Sequence, residues 1–156
     1  MSDNPLLIPS PYRNHVPQFD IIREEHFKPA IDAAIAEART NIDHIITNAD
    51  DPTFDNTIVA LETAAETLGS VSGIFYNQLS AAGTDALQVL AEEIGPVQAN
   101  FGSDIILNSK LFARVKTVYD MRASLTLTTE QHTLLEDTYK NFVRGGALLD
   151  DTKKAE

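Results

Sequence analysis

Apolar residues recur every three or four positions in five successive stretches of this chain, and each stretch opens near a residue able to cap or start a helix. That spacing puts the apolar side chains on one face of a helix, and nothing reads as a strand of any length. The first stretch runs from Glu24 to about Asn48, with Phe27, Ile31, Ile35, Ala38, Ile42 and Ile45 on one face and Glu37, Arg39 and Asp43 on the other. Glu24 and Glu25 suit the positive end of its dipole, and Pro29 is expected near the first turn, where a missing N–H costs little.

Pro52 stops that helix, and Thr53 or Asp55 can cap a second, which carries Phe54, Ile58, Leu61, Ala65, Leu68, Phe75 and Leu79 and is expected to reach about Ala81. Gly69 and Gly73 within it either cost around 1 kcal/mol each in helix propensity or admit another helix closely, and both readings can hold together. Thr84 or Asp85 opens a third helix with Leu87, Leu90, Ile94, Val97, Phe101 and Ile105. Its period survives Gly95-Pro96, so a kink is expected there and not a break.

Asn108 or Ser109 caps a fourth, with Leu111, Phe112, Val115, Val118 and Tyr119 inward and an end near Leu125. Thr128 or Thr129 opens a fifth, with Leu134, Leu135, Thr138, Phe142 and Val143 repeating and Gly145-Gly146 near its C-terminal end. The expected fold is therefore all-α: a bundle of about five antiparallel amphipathic helices over residues 21–149.

Residues 1–20 hold Pro5, Pro9, Pro11 and Pro17 among Leu6, Leu7, Ile8, Tyr12 and Phe19. This proline density forbids a regular helix, so an extended arm laid over the domain is expected, with apolar side chains to bury. At the other end, residues 150–156 look like the first turn of a sixth helix. One turn cannot repay its own nucleation, so a chain cut from a longer helical protein is expected.

Composition narrows the function. A length of 156 residues suits one domain, able to bury roughly 70% of the surface its unfolded chain exposes. Without cysteine, disulfides, thiolate zinc sites and cysteine nucleophiles are excluded. Twelve Lys and Arg against 23 Asp and Glu give a net charge of −11, which repels phosphate backbones and anionic lipid; no nucleic-acid or membrane partner is expected. The N-terminus has neither a basic segment nor a long apolar one, and a soluble, cytoplasmic protein is expected.

The chemistry-bearing residues do not assemble into a known catalytic pattern. Zinc hydrolysis on a helix needs two histidines one turn apart with a glutamate between them, and His15, His26, His44 and His132 never form that pattern. His132 and Glu136 stand one turn apart, but two ligands without a third make a weak site beside the ordinary reading of a local ion interaction. Asn48, Asp50, Asp51 and Asp55 suggest a calcium loop, yet Pro52 and Thr53 occupy the positions of a ligand and of the turn glycine. Neither a phosphate-binding glycine loop nor a Gly-x-Ser-x-Gly elbow occurs. The pairs Glu24-Glu25, Glu92-Glu93 and Asp150-Asp151 read as solvated faces or caps, because adjacent helical residues diverge by about 100°. No catalytic, cofactor-binding or metal-ligating residue is assigned.

Several segments in order carry a resemblance. They are Asn4-Pro5-Leu6-Leu7, Pro17-Gln18-Phe19-Asp20, Glu25-His26-Phe27-Lys28-Pro29-Ala30 and, most sharply, Pro52-Thr53-Phe54-Asp55-Asn56-Thr57-Ile58-Val59-Ala60-Leu61-Glu62. Later come Leu107-Asn108-Ser109-Lys110-Leu111-Phe112 with Arg114-Val115, then Leu134-Leu135-Glu136 and Phe142-Val143-Arg144-Gly145-Gly146. Together they resemble the N-terminal helical region of the zinc oligopeptidase family that includes thimet oligopeptidase, neurolysin, oligopeptidase A and the bacterial peptidyl-dipeptidases, the last most of all.

The resemblance implies a parent metallopeptidase that hydrolyses short peptides with a zinc-activated water. In it, these helices would form one wall and part of the cover of a deep channel, with a downstream catalytic domain of the same polypeptide as partner. His-Glu-x-x-His is absent here, so the resemblance carries over no site residue; it implies zinc in the full-length enzyme, none in this chain, and no catalysis by this chain alone. The alternative is a free-standing helical module that binds a protein or peptide in a groove between helices.

Overall fold

The computed structural model describes residues 4–149, and among them helices and turns account for all regular structure. Six α-helices follow in order: α1 (Glu24–Thr47), α2 (Ala60–Thr63), α3 (Glu66–Ala82), α4 (Asp85–Ile106), α5 (Ser109–Asp120) and α6 (Thr129–Arg144). A π-helical turn, Phe54–Val59, leads directly into α2. The expected sixth-helix start at 150–156 lies outside the described residues.

The helix starts follow from side chains that satisfy orphan N–H groups. Asn108 Oδ1 accepts from the N–H groups of Lys110 and Leu111 at the start of α5. Thr128 and Gln131 exchange reciprocal bonds at α6, as Thr53 and Asn56 do at the π turn. At α4, Thr84 Oγ1 accepts from Leu87 N–H at 3.2 Å. At the start of α1, His26 Nδ1 accepts from Arg23 N–H at 3.0 Å, so a ring nitrogen does what the amide oxygens of Asn56 and Gln131 do at the π turn and α6.

The chain forms two compact units, one taking the chain through Arg39 with Ala65–Gln98, the other Thr40–Ala64 with the chain from Ala99 on. The first contains the early part of α1, all of α3 and the early part of α4. Phe27 and Phe75, both fully buried, meet edge to face at 5.1 Å, and Ile31, Val71 and Ile94 are equally enclosed. Asn4 is buried too, donating from Nδ2 to the His26 carbonyl at 2.8 Å and so tying the N-terminal segment to the first turn of α1. Beyond that point the expectation of buried apolar side chains fails: Leu6 and Leu7 are half-buried, and Ile8, Tyr12 and Phe19 are exposed. Prolines keep this segment from forming a continuous face, and Arg13–His15 form only a single 3-10 turn.

In the second unit α5 packs on both α6 and the π turn. Leu111, Val115, Val118 and Leu135 are fully buried, while Phe112, Tyr119, Tyr139 and Phe142 form a column of stacked rings with Tyr119 and Tyr139 only 3.8 Å apart. The close of α6 is a Schellman motif: Ala147 N–H donates to Phe142 C=O at 2.9 Å and Gly146 N–H to Val143 C=O, with Gly146 at φ 97°.

Four expectations need correction. The second helix is not continuous, because Ala65 (φ −118°, ψ 27°) leaves helical geometry. The carbonyl released at Ala64 is taken by Asn41 Nδ2 at 3.0 Å. Across this break the buried positions shift from the expected Ala65 to Ala64. Gly69 and Gly73 admit no close neighbour, since a Cβ at either would meet nothing within 4 Å. Pro29 lies in the second turn of α1, past the orphan N–H groups, and removes a bond to the Glu25 carbonyl. Finally α5 ends at Asp120 and not near Leu125: Arg122 Nη1 donates to Tyr119 C=O at 2.9 Å and its guanidinium covers the Tyr119 ring, which finishes the helix. The third helix does run unbroken through Pro96.

By length and mean hydropathy alone the stretch Phe54–Ala82 could cross a membrane. Its break at Ala65 and the use of Leu68, Val71 and Phe75 in a protein core argue against that, since lipid offers no partner for freed backbone groups.

Candidate functional site

The most organised polar assembly in the chain lies in the second unit, where the acidic segment after α1 meets Arg114 of α5. Arg114 Nη1 donates to the Asn48 carbonyl at 2.9 Å and to the Asp50 carbonyl at 3.3 Å, and Nη2 donates to the Asp50 carbonyl and to Asn56 Oδ1 at 3.3 Å each. Asn56 is the hub: Oδ1 also accepts from Thr53 N–H at 2.8 Å and from the buried Thr57 hydroxyl at 2.9 Å, and Nδ2 donates to the Asp51 carbonyl at 3.0 Å. The planar fork of a guanidinium suits this divergent set of oxygens, which a lysine could not span. Arg114 Nε is buried without an acceptor among the described residues.

This explains the resemblance to a calcium loop. Main-chain carbonyls and a side-chain amide do converge on a cation, but the cation is Arg114 of the same chain. The sequence holds no local signal for it, because Arg114 lies more than sixty residues from Asn48.

Beside this assembly the end of α1 and the π–α2 segment enclose an open groove of about 400 Å³. Asn41, His44, Asn48, Asn56 and Thr63 give it polar walls, with Ile45, Ala60 and Ala64 between them. Amides and one exposed imidazole can donate and accept hydrogen bonds, as recognition of a peptide backbone requires; a nucleophile with an oriented base is not part of the lining.

The other chemistry-bearing residues lie apart. His26 is committed to its cap, His15 is exposed on the 3-10 turn, and His132 is exposed on α6. Glu136 accepts from Lys140 Nζ at 2.7 Å, and that hydrogen bond, then the charge of Lys140, holds its carboxyl below the usual range, with minor help from Arg122 and His132. The His132–Glu136 pair is thus part of a solvated ion cluster. Among the described residues no three His, Asp or Glu side chains gather as metal ligands.

No family model matches the sequence. Comparison with known proteins is nonetheless informative: 153 residues, 98% of this chain, are 39% identical to a dipeptidyl carboxypeptidase of Escherichia coli K12, and 155 residues are 38% identical to that of Salmonella typhimurium LT2. The chain matches one segment of the oligopeptidase family. Identity is lower, 23% over 156 residues, to a probable cytosolic oligopeptidase A of Arabidopsis thaliana. The chain spans little more than a fifth of the length of the relatives it matches, 22% of the E. coli protein and 23% of the Salmonella one. Among the described residues, the regular structure of the aligned part is helical.

Proposed function

We propose that this chain is the N-terminal helical part of a cytoplasmic zinc metallopeptidase that hydrolyses short peptides, where it builds a wall and part of the cover of the substrate channel. The observation that carries this reading is the 39% identity over 98% of the chain against only 22% of a dipeptidyl carboxypeptidase. Zinc and the general base would come from the downstream catalytic domain of the same polypeptide, and this chain alone would not hydrolyse peptides. Its own part is to exclude: rigid helices at a channel mouth admit extended peptides and reject folded proteins. The net charge of −11 leaves nucleic acid and membrane surfaces unsuited as partners.

The reading is tested by the coding sequence downstream of residue 156. A frame that continues into His-Glu-x-x-His, with a further glutamate on a later helix, is expected. A frame without that motif would transfer the weight to a free-standing helical module.

A further inference from the structure

In the first unit the openings of α1 and α4 lie side by side, joined where Thr84 Oγ1 donates to Glu24 Oε1 at 2.8 Å. Between them runs a groove of about 430 Å³ with a floor of Ala86, Val89 and Leu90 and a rim of Glu24, Glu25, Asp85 and Glu93. Its volume falls within the range of ligand pockets, roughly 300–1,000 Å³. The core needs a different face of α4, since Leu87 and Ile94 are buried while Val89 is 58% exposed. The apolar face of α4 therefore extends past the core, through half-buried Leu90 to exposed Ala86 and Val89. Glu24, Glu25 and Asp85 have a local reason in the first turns of their helices. Glu93 has none, and it closes the far end of a rim made only of carboxylates.

We propose that this groove binds a short basic peptide, with an aliphatic side chain resting on Val89 and Leu90 and flanking lysines or arginines meeting Glu25, Asp85 and Glu93. Charge favours this occupant over three others. A second copy of a chain with net charge −11, a nucleic acid and an anionic lipid would each bring negative charge to four carboxylates, whereas a basic peptide satisfies floor and rim together. The proposal goes beyond the peptidase reading and does not rest on it.

The test is titration of the 156-residue chain with an acetylated, amidated peptide of alternating lysine and leucine, followed by ¹H–¹⁵N amide shifts, with the glutamate-for-lysine peptide as control. Shifts confined to residues 24–25 and 85–93 are expected, with binding weakened at least tenfold by Val89→Ser and by the double change Glu25→Gln with Glu93→Gln. Asp43→Asn, a charge change elsewhere, should leave it unaltered. Because Val89 is exposed, its replacement should leave the far-UV circular dichroism unchanged. Shifts spread over every acidic face, equal binding of the glutamate peptide, no binding at all, or a dimer that Val89→Ser dissociates would each overturn the proposal.

Discussion

Gly145 and Gly69 are the same residue type under opposite constraints. A Cβ on Gly145 would sit 2.1 Å from Ile106 Cγ2, so Gly145→Ala should force the end of α6 away from α4 and destabilise the chain by about 1–3 kcal/mol, the usual range for overpacking. Gly69→Ala and Gly73→Ala meet open space inside α3 and should each stabilise by about 0.8–1 kcal/mol through helix propensity. Urea denaturation of the three variants decides between the signs; a fall in midpoint for the α3 pair would mean that the glycines serve a close contact after all. Sequence alone leaves both readings of the α3 glycines open, since a glycine on a helix reads alike whether it faces a neighbour or solvent. Arg114 shows the same limit more sharply. It is one arginine on an amphipathic helix until the fold brings the Asn48 and Asp50 carbonyls to it. Arg114→Met should cost about 1–3 kcal/mol by removing charge-assisted bonds to the half-buried Asn48 and Asn56 and the exposed Asp50, and Arg114→Lys should recover little of it. Full recovery by lysine, read in the same denaturation experiment, would refute the fork geometry.

At the scale of elements, the strongest periodicity was the most legible. All six apolar positions expected on the first helix are buried in α1, and the expected cap choices resolve to Thr53, Thr84, Asn108 and Thr128. The failures lie where a distant side chain decides the backbone. Ala64 and Ala65 are among the better helix formers, yet the helix breaks there and Asn41, 23 residues earlier, takes the Ala64 carbonyl. Asn41→Leu should leave that carbonyl unpaired beside an apolar group and cost about 1–3 kcal/mol. Hydrogen exchange should then show the amides of 60–69 losing protection before those of α5. Unchanged protection in that segment would mean that the break is set by local backbone preference and not by Asn41. The end of α5 departs from expectation for a local reason: Arg122 caps the helix through the face of Tyr119, which a linear apolar count cannot register.

For the whole molecule, the fold is a scaffold and the resemblance carries lineage. The polar groove beside Arg114 holds amides and an imidazole, and the acidic groove at the α1 and α4 openings holds carboxylates over aliphatic residues. Neither has the nucleophile, base and orienting group that hydrolysis demands. What could be read from the sequence at this scale was the company the chain keeps, from the run Pro52-Thr53-Phe54-Asp55-Asn56-Thr57; the structure adds that this run is a capping box and a π turn anchored by Arg114.

Whether this chain is the non-catalytic part of a longer peptidase is decided by incubating a short blocked peptide with the proposed longer protein and, at equal concentration, with the 156-residue chain, and measuring cleavage products by mass spectrometry. The longer protein should cleave the peptide, a chelator should abolish this and zinc restore it, and the shorter chain should yield no product. Cleavage by the shorter chain that survives repurification and disappears on substitution of His44 or Asn56 would contradict that reading.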